Sequence, residues 1–480
     1  MSGLPATTAN ERESRQSMRE FGALLRLSWP IAVTQVTQMS MGVMDTVMAS
    51  RLGPVEVSGV QLGGALFWPV LLLLSGVAMA LTPSVSQLRG SGRTDQIAEV
   101  ARQTLWIMLG MGLLLVAFIR NVEPLYLYFG VDPAAAEVAV AYLSALSFGV
   151  VQFMMYFSLR YLCDGMSWTK PAMIIALIAV SLKLPLNVLF IYGAFGLPGL
   201  GGVGCGYSSA LVMTAQLISM VLVVTKGRIA HLGVFYGFSR PRFGEMLRIF
   251  KLGLPIGAGI SLEMAVFSVT TILVAKLGVL PLNAHAIAAS ISSIAFMLPL
   301  ALGMGATIRV GFFAGAHEFE QARRAVRVAL MSAFVVAVVL LTVLAVFRYP
   351  IASLYTPVPE VVSLGASLLL LVALYQLVDD VQIVAVGALR GFKDTRTPMF
   401  VSIIAYWLIG LPLGIFMAFG YEGAPLAMLG LDWTLNVPAN GVQGLWWGLV
   451  VGLIVAAAAL LARVRYLMNS PQKIIEMSKR

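Results

Sequence analysis

Apolar side chains run in blocks of about 20 residues, without the two-residue alternation of a strand or the one-sided stripe of a soluble helix. Read with a window of about 19 residues, they predict twelve spans: 24–50, 57–82, 101–119, 138–161, 171–193, 203–225, 249–276, 285–309, 325–347, 361–389, 398–419 and 441–466. About 20 helical residues cross the hydrocarbon core of a bilayer, so each block predicts one pass. A transmembrane β-barrel, which alternates over about 10 residues, is excluded. The expected fold is an all-α integral membrane protein.

The loops between the blocks orient the chain. Of 32 Lys and Arg, 27 fall on the side of the two tails, and four (Arg51, Arg120, Lys276 and Arg348) on the other. Basic loops stay cytoplasmic, so both termini are expected there, and no cleavable signal peptide precedes the first block. Composition agrees: 59% of residues are hydrophobic and only 11% charged, against about 25% charged in soluble domains. The net charge of +10 is explained by these anchoring loops, and no nucleic-acid surface is needed. Cys163 and Cys205 imply no disulfide framework.

The longest basic connector lies near the midpoint, and the two sides repeat. Leu27-Ser28-Trp29-Pro30-Ile31 aligns with Leu252-Gly253-Leu254-Pro255-Ile256, and Leu52-Gly53 with Leu277-Gly278. Met79, Thr82 and Arg102 match Met304, Thr307 and Arg327; Gln152 and Leu159-Arg160 match Gln382 and Leu389-Arg390. Pro171 and Leu184-Pro185-Leu186 then match Pro398 and Leu411-Pro412-Leu413. Six spans is an even number, so both halves insert the same way. Two six-helix lobes related by a pseudo-two-fold axis along the membrane normal follow, as in secondary transporters. The expected division is a tail at 1–23, an N-lobe at 24–225, a connector at 226–248, a C-lobe at 249–466 and a tail at 467–480.

Charge inside the spans is the candidate chemistry. Asp45, Glu263, Asp379 and Asp380 stand in apolar blocks, where a carboxylate costs roughly 2.5–3.5 kcal/mol on insertion scales and marks function by default. Neighbours on a helix point about 100° apart, so only one of Asp379 and Asp380 is expected to face the centre. Lys183, the one cation of the fifth span, shares a helix face with Asn187; it either pairs with Asp45 or reaches toward an interface. Pro30 and Pro255 read equally as helix starts and as kinks that let a helix bend. The Met41, Met44 and Met48 stripe reads as packing. Gly199-x-Gly201-x-x-Gly204 lacks a βαβ setting and is a turn. His317-Glu318 lacks its second histidine, and no phosphate loop exists to bind ATP. No histidine-built metal site is expected.

These residues resemble the multidrug and toxic compound extrusion (MATE) transporters, most closely their NorM-like bacterial branch, over roughly 24–466. The carriers are Ser28-Trp29-Pro30 and Met41-Gly42-Val43-Met44-Asp45-Thr46-Val47-Met48; Lys251-Leu252-Gly253-Leu254-Pro255 with Glu263; and Tyr375-Gln376-Leu377-Val378-Asp379, Gln382 and Gly387-Ala388-Leu389-Arg390-Gly391. The resemblance implies a bacterial inner-membrane antiporter, not an enzyme, that exports cationic organic compounds against an inward H⁺ or Na⁺ gradient. Asp45, Glu263 and Asp379 match the family's acidic positions, and Asn187 matches a polar one; Asp380 receives no role. Lys183 departs from the pattern where a neutral amide is usual, which favours H⁺ over Na⁺. The expected partners are cationic drugs, the coupling ion and the bilayer, with no other cofactor and no nucleic acid, for a chain working as a monomer. A flippase for a lipid-linked precursor shares the repeat architecture but calls for a cationic cavity; the mid-membrane charge here is mainly acidic.

Overall fold

The structure, a computed structural model, describes residues 9–194, 196, 198–237, 239–420 and 439–478. Residues 1–8 and 479–480 of the two expected tails, Met1 included, lie outside the described residues. The chain runs through α1 (Ala9–Ser50), α2 (Pro54–Met79), α3 (Leu81–Gly90), α4 (Asp95–Arg120), α5 (Glu123–Tyr128), α6 (Pro133–Gly165), α7 (Lys170–Asn187) and α8 (Val203–Lys226). The second half comprises α9 (Phe243–Ala275), α10 (Val279–Gly315), α11 (Phe319–Ser353), α12 (Pro359–Gly391), α13 (Arg396–Ser402), α14 (Leu411–Phe419), α15 (Gly441–Met468) and α16 (Pro471–Ser478). Among the described residues no strand occurs.

Eleven of these rods, with α2–α3 and α13–α14 each one pass, are long and apolar enough to cross a membrane. The remaining predicted span is α1. Its 42 residues include Gln35, Gln38, Ser40 and Asp45, which lower its hydropathy, yet it packs lengthwise beside α7 and α10. Two of its threonine hydroxyls are satisfied within the helix, Thr34 donating to Pro30 O at 2.7 Å and Thr37 to Val33 O at 2.7 Å, so they can sit in an apolar setting. The twelve passes form two six-helix lobes. Several helices outrun their apolar blocks, because a helix continues past the hydrocarbon edge wherever its polar turns keep their hydrogen bonds.

The repeat is visible in the packing. In the N-lobe the central helix is α6, against α8, α2 and α4; in the C-lobe it is α12, against α10, α11 and α15. Gly53 and Gly278 open α2 and α10 with φ of 134° and 109°, a backbone that disfavours any other residue. Pro30 and Pro255 lie well inside α1 and α9, which removes the helix-start reading: both helices begin earlier than the apolar blocks. Met48 is buried in the N-lobe core, and Met41 and Met44 are half-buried.

The lobes meet toward the end of the bundle that holds the start of α1 and the helix α16, here the termini end. Gly76 of α2 lies on Gly257 of α9, Gly253 on Val77, Gly90 on the Phe312 carbonyl of α10, and Gly315 on Gln87. A methyl group at any of these glycines would strike backbone. Gln87 Nε2 donates to Gly391 O at 2.8 Å. α1 joins the seam: Glu20 accepts from Arg309 Nε and Nη2 at 2.7 and 2.5 Å, and Leu24 and Ser28 lie against Gly305.

Candidate functional site

The N-lobe carboxylate is held from three helices. Asp45 of α1 accepts from Asn187 Nδ2 at 2.8 Å, and Lys183 Nζ stands 3.0 Å from the same oxygen. The shared helix face of Lys183 and Asn187 is therefore real, and pairing replaces the interfacial alternative. α8 completes the cage: Lys183 Nζ also donates to Ser209 Oγ at 2.5 Å and to Cys205 O at 3.4 Å, while Ser209 Oγ donates to Asp45 Oδ2 at 3.5 Å. All three site side chains are buried. Directly after Asn187 the helix widens into a π turn over Val188–Tyr192, a local feature frequent at functional sites.

The C-lobe carboxylates sit in different company. Asp379 and Asp380 of α12 are 2% and 0% exposed. Both are buried because α10, α11 and α15 pack around α12; of the two, Asp379 interacts electrostatically with Glu263, whereas Asp380 interacts with Gln376. Asp380 Oδ1 accepts from Gln376 Nε2 at 2.6 Å, and Asp379 Oδ1 has no hydrogen-bond partner. Glu263 of α9, half-buried, interacts electrostatically with Asp379 and with Arg390. Among the described residues no ion pair reaches Glu263, Asp379 or Asp380. Aromatic rings wall the region: Tyr375 packs edge-on against Trp446 at 6.1 Å and Phe267 at 5.9 Å. Tyr406, in a second π segment over Ile403–Gly410, also feels Glu263 and Asp379. Trp407 Nε1 donates to Leu262 O at 3.2 Å and braces the turn beside Glu263.

Sequence reasoning did not single out Ser209, Cys205, Tyr406, buried Arg160 or half-buried Arg390 as site groups. The arginines carried a signal, since Arg160 and Arg390 are repeat partners. Arg160 bonds Gln35 Oε1 at 2.9 Å and Gln38 Oε1 at 3.4 Å across to α1, and lies 3.9 Å from Asp164. Counting at the repeat's offset, Gln38 is the counterpart of Glu263. The same arginine thus meets an amide in one lobe and a carboxylate in the other. Asp164 and Arg390 line one cavity of about 20 Å³ at the lobe seam, about the room one water needs.

The MatE family model matches residues 30–189 and 255–416, one stretch in each lobe, opening at Pro30 and Pro255. The chain belongs to the MatE family. It is 39% identical over 459 residues to the multidrug resistance protein MdtK of Yersinia pseudotuberculosis, covering 95% of this chain and 97% of that protein. The Yersinia enterocolitica protein of the same name is 38% identical over 458 residues, with 95% and 97% covered. Solved structures share the fold at lower identity. The eukaryotic MATE transporter AtDTX14 superposes with a TM-score of 0.84 at 20% identity, over 97% of this chain and 99% of that one. An outward-facing multidrug resistance MATE transporter of the MOP superfamily gives 0.83 at 18%, over 95% and 97%. The expected membership, the all-α two-lobe fold and a transporter in place of an enzyme therefore stand. In this MatE chain the two lobes hold their buried carboxylates by unlike means.

Proposed function

We propose that this chain is a secondary active antiporter that exports cationic, amphiphilic organic compounds by alternating access, driven by inward flow of H⁺, with Na⁺ the lesser candidate. The observation that carries the reading is the burial of Asp45, Asp379 and Asp380, with half-buried Glu263 acting on Asp379, inside a two-lobed membrane bundle. Such burial is costly, and a carboxylate without an ion pair suits a cationic guest, because each neutralises the other where the dielectric is low. The multidrug resistance relatives support the same reading. An ion drives transport only if it binds one arrangement of the lobes better than the other; the carboxylates supply that difference.

The choice of H⁺ rests on Lys183. At 3.0 Å from Asp45, its ammonium occupies the position a metal ion would take, and it interacts with the carboxylate by on the order of 5 kcal/mol at an effective dielectric of 20. It would repel Na⁺ comparably. A proton can instead reside on Asp45 while Lys183 keeps Ser209 Oγ and Cys205 O. Asn187 orients the carboxylate. Glu263 and Asp379 receive the drug or the ion, and Pro30 and Pro255 are where α1 and α9 bend. We place the chain in a bacterial inner membrane with both termini cytoplasmic, following the basic loops. It works as a monomer, since each lobe finds its partner within the chain. A precursor flippase is disfavoured by the acidic interior.

Ethidium efflux from proteoliposomes tests this. A pH gradient without Na⁺ is expected to drive efflux; efflux strictly dependent on Na⁺ sinks the proton assignment, and none under either gradient sinks the antiporter.

A further inference from the structure

At the termini end of the C-lobe lies a cavity of about 500 Å³ that the transport reading does not use, within the range of ligand sites. Four parts of the chain build it: the start of α9, the turn between α12 and α13, the end of α15, and α16. Its lining carries six cations, Arg248, Lys251, Lys393, Arg396, Arg463 and Lys473, against two carboxylates, Asp394 and Glu476. Asp394 is already engaged, accepting from Arg463 Nε at 2.8 Å and from Thr397 Oγ1 at 2.8 Å. Lys473 donates to the Tyr466 hydroxyl, and Arg248 pairs with Glu245 outside the lining at 3.4 Å.

The cations crowd one another. Lys393 sits in the turn with φ of 62°; its pKa is pushed down to about 8, first by burial and then by repulsion from Arg248 and Arg93. An anion seated among them would relieve both costs. α16 is held in place to form the wall, since Ile474 and Met477 join the core beside α15 and α10.

The neighbouring surface says where the anion comes from. On α9, Gly244, Leu247, Arg248, Lys251 and Leu252 line the cavity, and from Leu247 at its rim an exposed apolar stripe continues through Phe243 and Leu254. Phe400 in α13 and Ile404 just past its end are exposed as well. A cationic cavity flanked by exposed apolar side chains at a helix end matches a phosphate carried on acyl chains.

We propose that this cavity binds the phosphate headgroup of an anionic phospholipid of the inner leaflet. The inference rests on the orientation proposed above and not on the transport cycle. Lys251 and Arg396, both exposed cations of the lining, hold the phosphate; the acyl chains lie on the α9 stripe.

The test uses the purified full-length chain in detergent micelles, titrated with phosphatidylglycerol, with phosphatidylcholine of the same acyl chains, and with inorganic phosphate. Thermal shift and native mass spectrometry are the readouts. Phosphatidylglycerol is expected to raise the melting temperature and to remain bound as one copy. The Lys251→Gln/Arg396→Gln variant should bind it roughly tenfold to thirtyfold more weakly, while Arg15→Gln/Arg19→Gln, removing two exposed cations of α1, should match wild type. If the first variant does not purify as a monodisperse species, the single variants Lys251→Gln and Arg396→Gln carry the comparison. Equal binding by the cavity variant and wild type, equal binding of phosphatidylcholine, or full stabilisation by inorganic phosphate alone would each overturn the lipid site. A negative result here leaves ethidium efflux unaffected, and absent efflux leaves this binding measurement intact.

Discussion

The two lobes are copies in backbone and opposites in charge. In the N-lobe, Asp45 is neutralised by Lys183 at 3.0 Å and held by Asn187 at 2.8 Å. In the C-lobe, Glu263, Asp379 and Asp380 have no ion pair among the described residues. None of these charged groups has a charged counterpart under the repeat. Asp45 corresponds to Thr270, Glu263 to Gln38, Asp379 to Gly149 and Lys183 to Gly410. Duplication supplied two frames, and divergence wrote an ion-paired acid into one and acids without an ion pair into the other. The N-lobe site is therefore suited to exchanging a proton within a closed set of partners, and the C-lobe site to receiving charge from outside.

The hardest way to break that contrast is to remove the C-lobe acids. Glu263→Gln or Asp379→Asn should each lower ethidium efflux by at least tenfold, toward the leak of protein-free liposomes, with little change in melting temperature. Cells carrying either variant and showing full drug resistance would take that residue out of the site.

The next largest effect is on folding, and it belongs to the N-lobe alone. Lys183→Ala strands Asp45 without its cation and should destabilise by about 3 kcal/mol or more, seen as a lower melting temperature and yield. Lys183→Asn/Asp45→Asn should recover most of that loss; strictly additive single effects would mean that the pair is not coupled. With Lys183→Asn alone, Na⁺ should begin to stimulate efflux, because the position beside Asp45 no longer carries a charge.

A swap sharpens the comparison further. Gln38→Glu gives the N-lobe the acid of the C-lobe, and Arg160, 3.4 Å from Gln38 Oε1, should accommodate it with no more than a twofold change in efflux. Added to Glu263→Gln, it should fail to restore transport, since Asp379 has only Gly149 opposite. Restoration to half the wild-type rate would show the lobes to be interchangeable. The smallest change is Ser209→Ala, which removes one neutral partner of Lys183 and should cost about 1 kcal/mol while slowing efflux less than threefold.

Much of this was legible in the order of residues. Twenty apolar positions have one solution in a bilayer, and Leu184-Pro185-Leu186 repeated as Leu411-Pro412-Leu413 fixes the halves in register. Asp45, Lys183 and Asn187 were found because charge in hydrocarbon is rare and a four-residue spacing puts two side chains on one face. The burial of both Asp379 and Asp380 was not legible: it depends on three helices enclosing α12, which a single helix cannot announce. Ser209 and Cys205 escaped notice for a related reason, as serine and cysteine are unremarkable in a span until another helix turns a lysine toward them. α16 carries too few apolar residues to register as a block, yet Ile474 and Met477 seat it in the core.

The glycine seam has a kinetic consequence. Where Gly76 meets Gly257 and Gly90 meets the Phe312 carbonyl, backbone lies directly on backbone. Parting such surfaces requires no rotamer to flip and strips few polar groups of their partners, Gln87 with Gly391 and Glu20 with Arg309 being the main ones. The seam behaves as a smooth bearing with two latches. Its friction is low, and the speed of opening is set by how quickly those latches let go.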